Sequence, residues 1–338
     1  MAIKMIGYVR KAVFGLVLCL ICSSCKGPIR NQDVPHVNVS PSSYVVLRLS
    51  GQQIVSRLFL TEDGKMIVLG QHEPFFSVVD VAENELLTSF GRLGRAKGEL
   101  RSAPQGVNYR DGKLQLFDIA SRSFVTISVP DGAMENSLIP VSSVFLPLRA
   151  MQIDGMLIAT GGLGEGRLAF VKPGQELVQI ENYPFDTGSL SGINRGAAIQ
   201  CDLVCPPGLS RFLLRTMASD CFEIYEVKDS GVSRVFVNDF KYPPVIERAR
   251  IDYQNSSAGY IRSFVDDANI YLMYSDKSYH ESSGHGLVSD MIHVYDWEGH
   301  LVRKIILPDE IGAFCVKDSF LFGVLEHSEY SEILRYEL

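Results

Sequence analysis

Three observations predict an all-β protein built as a six-bladed β-propeller. Past residue 43 the chain is a succession of short β-type runs separated by turn chemistry, with no convincing amphipathic helix. The turns recur about every fifty residues, the period of a propeller blade. One strand is spare at the front of the array and one is missing at its back, so pairing the two would close a ring.

The turns carry the repeat. Glu62-Asp63-Gly64, Arg110-Asp111-Gly112, Asp154-Gly155, Pro206-Pro207-Gly208, Asp266-Asp267 and Lys317-Asp318 supply the local hydrogen bonds and positive φ that hairpins need. With Asp63, Asp111, Asp154, Pro207, Asp267 and Asp318 as markers, the steps are 48, 43, 53, 60 and 51 residues. The first unit parses as strands at Ile54–Leu60, Lys65–Leu69, Phe76–Asp80 and Glu85–Phe90. The fifth parses as Gly259–Val265, Asn269–Tyr274, Asp290–Tyr295 and Leu301–Leu307. The sixth has only Ile311–Val316, Phe320–Leu325 and Glu332–Glu337, while Tyr44–Leu49 precedes the first unit unpaired. A pair of β-sandwiches is the alternative that the strand count leaves open.

Composition fits an acidic globular protein. The 338 residues are 46% hydrophobic and 21% charged, which excludes a disordered chain, a collagen-like fibre and a multi-span membrane protein. A net charge of −7 excludes a binder of phosphate backbones, which needs a basic surface.

The N-terminus points to export. Lys4, Arg10 and Lys11 precede an apolar run from Ala12 to Ile21, too short to span a bilayer, and Ser23-Ser24-Cys25 close it. Residues 1–24 therefore read as a signal peptide, and the Ser-Ser-Cys ending resembles a bacterial lipobox, with Cys25 the expected lipid attachment site. An uncleaved anchor and an ordinary secretory signal remain alternatives. Removing residues 1–24 leaves 29 basic against 39 acidic side chains. Residues 25–42, rich in Pro, Asn and Ser, read as a flexible tether, and 43–338 as the propeller. The expected location is the outer membrane, periplasm-facing rather than on the cell surface, because Lys26 and Arg30 stand where surface-displayed lipoproteins of Bacteroidetes carry an acidic run.

Cys201, Cys205, Cys221 and Cys315 remain in the propeller. Cys201 and Cys205 would lie roughly 13 Å apart on an extended strand, too far to bridge. Buried free thiols are the expected state, and a disulfide from Cys221 to Cys201 or Cys205 is the alternative in an oxidising compartment.

Phe90-Gly91-Arg92-Leu93-Gly94-Arg95-Ala96-Lys97-Gly98-Glu99-Leu100, followed by Pro104-Gln105-Gly106-Val107, resembles the inter-blade linker of NHL-like and Bacteroidetes six-bladed propellers. Ala96-Lys97 stand where Gly-Pro is usual, and Leu100 where Phe is. Its glycines permit the turns needed to cross from one blade's outer strand to the next blade's inner strand. With the lipobox and the length, the mature chain resembles the TolB-like six-bladed propeller lipoproteins of Bacteroidetes. That resemblance implies a fold and leaves the biochemical role open.

Alternating strand direction places the inter-blade linkers and the second-to-third strand loops on one face. Candidate ligand-face residues there are Arg92, Arg95, Lys97 and Arg101 in the linker and Tyr279, His280 and His285 in the loop Ser275–Val288. The arginines and lysine could meet carboxylates of a partner; the histidines, five residues apart, fix no metal geometry. Gly161–Gly166 lacks the helix and the Lys-Ser/Thr of a phosphate loop. His293 reads as a packed histidine. No catalytic residue, metal ligand or cofactor is expected, and the chain is expected to be monomeric. The expected function is a lipid-anchored binding module for an envelope protein or glycan, with no nucleic-acid partner. A glycan-directed lyase or hydrolase acting at the central channel is the alternative.

Overall fold

A computed structural model describes residues 34–39, 41–50, 54–129, 131–139, 146–163, 166–172, 174–180, 183–248, 250–284 and 287–338. Cys25, the expected signal peptide and His285 lie outside them.

Among the described residues, six sheets succeed one another along the chain as blades, each with four antiparallel strands and the fifth with one further, parallel strand. Blade 1 is Val55–Leu60, Lys65–Gly70, Phe76–Asp80 and Glu85–Phe90, within one residue of the strands read from the sequence. Blade 2 runs through Asn108–Arg110, Lys113–Asp118, Ser123–Ser128 and Met134–Leu138, and blade 3 through Leu146–Ile153, Met156–Leu163, Gly166–Val171 and Val178–Ile180. Blade 4 is Cys201–Val204, Arg211–Thr216, Phe222–Lys228 and Gly231–Val237; blade 5 is Ser257–Val265, Asn269–Ser278, Ser289–Asp296 and Leu301–Ile311. Blade 6 has Ala313–Lys317, Phe320–Glu326 and Tyr330–Glu337, and its fourth place is taken by Pro41–Ser50. That strand lies antiparallel to Tyr330–Glu337, with Leu47 opposite Ile333 and register breaks on either side of Ser43.

All six turn markers sit between the first and second strands of a blade. At Asp111-Gly112 and Asp154-Gly155 both residues have positive φ, the two-residue hairpin whose twist matches its flanking strands.

The core lies between blades. Met151 and Ile153 of blade 3 pack with Leu203 and Phe212 of blade 4, Ile67 and Leu69 of blade 1 with Leu114 and Leu116 of blade 2. Val55 and Leu58 of blade 1 pack with Cys315 and Val324 of blade 6, so the last blade rests on the first. A sheet covered on both faces needs near-continuous apolar runs, as in Lys65–Gly70, whereas Glu85–Phe90 on the rim is largely exposed.

Three features correct the sequence reading. The expected tether is ordered in part: His36–Asn38 lies parallel to the outer strand of blade 5, His36 opposite Lys304 and Asn38 opposite Ile306. The alternation His36-Val37-Asn38-Val39 explains it, since Val37 and Val39 both join the blade 5 cluster. Gly161–Leu163, expected in a loop, belong to a strand, and a short helix, α1 (Gly192–Ala198), closes upon it. A Cβ on Gly196 would lie within 1.9 Å of the Gly161 carbonyl oxygen, so close approach of backbones is what glycine provides there. A second short helix, α2 (Tyr279–Gly284), replaces the loop expected after Tyr274. Cys201, Cys205, Cys221 and Cys315 are free and buried.

Candidate functional site

The inner strands surround a central channel that changes character along its length. Toward the marker turns its wall is apolar: Leu58, Phe59, Tyr109, Val204 and Phe264 line a cavity of about 200 Å³. At the other mouth, on the face of the linkers, a recess of about 460 Å³ is lined by Arg57, Arg149, Asp202, Arg215 and Arg262. Gln71, Phe75, Gln105 and Leu287 stand among its walls. Arg57 lines both zones, and its pair with Asp202, which also accepts from Ser263 of the apolar zone, lies between them.

Four blades contribute these charges. Arg57, Arg149, Asp202 and Arg262 come from the inner strands of blades 1, 3, 4 and 5, and Arg215 from the second strand of blade 4, opposite Asp202 in register. Asp202 organises the group. Its Oδ2 accepts from Arg57 Nη2 at 2.5 Å and from the Ser263 hydroxyl at 2.8 Å, with Arg215 Nη2 at 3.5 Å. Burial alone would raise the Asp202 pKa, but Arg57, Arg215 and Arg149 outweigh it and hold the carboxyl well below the usual range. Arg262 is pulled down to about 10 by burial and by the like charges of Arg215 and Arg57.

The backbone takes part of the remaining donor capacity. Arg57 Nη1 donates to the Val107 carbonyl at 2.7 Å, Arg215 Nη1 to the Tyr260 carbonyl, and Arg262 Nε to the Gly312 carbonyl at 2.9 Å. Arg149 differs: among the described residues its guanidinium makes one hydrogen bond, from Nη2 to the Met217 thioether at 3.9 Å. Room for it comes from Gly106, whose φ is +58° and whose hypothetical Cβ would sit 2.4 Å from Arg149 Cγ. Glycine in the Pro104-Gln105-Gly106-Val107 segment thus serves both the turn and the recess.

The residues expected to form the ligand face lie elsewhere. Arg92, Arg95, Lys97 and Arg101 are exposed along the linker. Arg95, Lys97 and Arg101 border a separate depression of about 330 Å³ with Ser121, Met134 and Asn136. The linker is held by its own bonds: Leu100 N–H donates to the Arg92 carbonyl at 2.9 Å, Ala96 N–H to Glu99 Oε2 at 2.8 Å, and Arg101 N–H to Asp118 Oδ2 at 2.6 Å. Tyr279 and His280 begin α2 and pack toward the segment after the small hairpin Ile246–Ile251, with the Tyr279 ring 4.7 Å from that of Tyr253. His293 is packed, as expected. Its ring stacks on Tyr274 and Nδ1 lies 3.2 Å from the Tyr260 hydroxyl, and burial first, then Lys304 and His36, lower its pKa to about 4.

Sequence reasoning missed Arg57, Arg149, Asp202, Arg215 and Arg262. A signal for four of them exists: each is the one charged residue of its inner strand, five or six residues before its blade's marker turn.

A family model described as TolB-like 6-blade propeller-like matches residues 60–319. No curated protein matches the chain by sequence. Among solved structures, a Bacteroides fragilis NCTC 9343 protein described as exported is 13% identical, with 89% of this chain and 98% of that one covered and a TM-score of 0.54. A member of the duf4221 family from Bacteroides vulgatus ATCC 8482 is 9% identical, covering 88% and 97%, with a TM-score of 0.52. Virginiamycin B lyase from Staphylococcus aureus is 10% identical over 86% and 98%, with a TM-score of 0.49.

Proposed function

The chain belongs to the TolB-like six-bladed propeller family, and from that premise we propose that it is a lipid-anchored docking module of the bacterial cell envelope. It binds a protein or glycan partner at the arginine-lined mouth of its channel. The observation that carries this reading is the convergence of Arg57, Arg149, Arg215 and Arg262 around a single lining carboxylate, Asp202, in one concave recess. Concavity and an excess of one sign of charge favour capture of a ligand.

The carboxylate is engaged by three donors and held ionised, so it suits a structural role better than proton transfer. Docking is therefore favoured over the lyase or hydrolase alternative. Export is supported by the signal-like N-terminus and by the exported Bacteroides fragilis protein that shares the fold. Anchorage through Cys25 is supported by the lipobox resemblance, and a periplasm-facing position at the outer membrane by Lys26 and Arg30 after it. His36–Asn38 lies along the Leu301 end of blade 5, next to the turn at Trp297–Gly299. That turn is on the face opposite the recess.

The test is capture from detergent-solubilised envelope with the lipidated protein, beside Cys25→Ala and Arg149→Glu. The reading expects a specific partner that is retained by wild type and lost with Arg149→Glu. A partner indifferent to Arg149→Glu but lost on Arg92→Glu with Arg95→Glu would overturn it. Turnover of a glycan panel with no partner captured would move the assignment to catalysis.

A further inference from the structure

We infer that the channel mouth takes a small carboxylate-bearing ligand, an acidic sugar or the free end of a peptide, gripped by Arg149 together with Arg215 and Arg262. This deepens the proposed docking role and rests on the same recess.

An account of donors leads there. A guanidinium has five N–H groups and no acceptor, and when partly dry it needs oxygen partners. Arg57 spends its two terminal nitrogens on Val107 and Asp202. Arg215 is 6% exposed, and its Nε has no hydrogen-bond partner among the described residues. Arg262 donates from Nε and Nη1 to backbone carbonyls, which carry no charge to match its own. Among the described residues Arg149 donates to a thioether alone, a weak acceptor.

The charges agree with the donors. Four guanidinium groups share Asp202, and even with Glu326 counted beside Arg262 the group retains an excess of positive charge. In a recess screened from bulk water such an excess attracts an anion strongly.

Shape selects the anion. Asp202 already shows how the site takes a carboxylate: one oxygen shared by guanidinium groups and a hydroxyl. A second planar carboxylate fits the fork of Arg149, since arginine and carboxylate match in bidentate geometry. A tetrahedral phosphate matches the planar fork less closely, because only two of its oxygens can lie in the fork's plane. Ser56, Gln71 and Gln105 offer polar contacts for the rest of the ligand, Phe75 and Leu287 apolar ones, and about 460 Å³ limits it to a small molecule.

Calorimetric titration of the full chain in detergent at low salt tests this, with galacturonate, N-acetylalanylalanine, galactose and inorganic phosphate as probes. At least one carboxylate should bind, galactose should not, and phosphate should bind more weakly. Preference between the two carboxylates identifies the source. Arg149→Gln should weaken the carboxylate at least about tenfold, with partial recovery in Arg149→Lys, as expected for a lost charge-assisted pair. Melting curves matching wild type would exclude misfolding of either variant. Binding of galactose or phosphate as tight as the carboxylate, no carboxylate binding, or indifference to Arg149→Gln would overturn the inference. Partner capture that depends on Arg149 without carboxylate binding would leave the docking role standing; carboxylate binding without any captured partner would remove the docking role alone.

Discussion

Arg92, Arg95, Lys97 and Arg101 crowd one linker and end up exposed, whereas Arg57, Arg149, Arg215 and Arg262 are scattered over four blades and end up lining one recess. The first group is adjacent because the chain is short there, and its charges are screened by solvent. The second is adjacent because the ring of blades brings Arg57, Arg149 and Arg262 of the inner strands to one height, with Arg215 joining them from beside Asp202 on the second strand of blade 4. Charges clustered along one linker stay solvated here, whereas charges at one register of successive blades converge.

Removing a carboxylate should separate the two regions most. Asp202→Ala leaves Arg57 and Arg215 facing each other across a buried gap and should cost about 3–5 kcal/mol, read from the urea midpoint. Glu99→Ala, which loses the contact with Ala96 in the linker, should cost about 0.5 kcal/mol. Equal costs would erase the distinction.

The same carboxylate sets a pH signature. Its folded pKa lies below the unfolded value of about 3.9, so its stabilising contribution is complete above that value. The contribution is lost as pH falls through that value toward the lower folded one. In Asp202→Asn the acid limb of the stability curve should be shallower than in wild type; an unchanged limb would show that Asp202 is not held ionised by its arginines.

Two glycines sharpen the contrast. Gly106 and Gly98 both have positive φ, +58° and +86°, but a Cβ on Gly106 would strike Arg149 while one on Gly98 meets nothing within 4 Å. Either change to Ala should cost about 1 kcal/mol through backbone strain. Only Gly106→Ala should also weaken ligand binding, which titration of the two variants would reveal.

The smallest effect is expected from reversing Arg92, Arg95 and Lys97 to Glu. Each should change stability by less than about 0.5 kcal/mol and leave binding at the mouth unaltered. A lost ligand on such reversal would return the site to the linker.

Much of the fold was legible because its determinants are local. Asp111-Gly112 and Asp154-Gly155 specify hairpins from two residues, and the apolar runs around them specify buried strands. His36–Asn38 escaped because three residues of alternation in a Pro- and Asn-rich stretch are too few to show a period, and their partner, Lys304–Ile306, lies far along the chain. Of the candidate site, only the choice of face was legible. Arg57 and Arg262 belong to different blades, and nothing near either residue predicts that the other will be its neighbour. The linker cluster drew attention because its charges were contiguous, a property with no bearing on convergence.

The most direct test of the central claim is anomalous diffraction from crystals soaked in bromide, an anion small enough to reach either basic region. The account predicts the strongest bromide peak inside the recess, within contact of Arg149 and of Arg215 or Arg262. A strongest peak along Arg92–Arg101, with none in the recess, would contradict it.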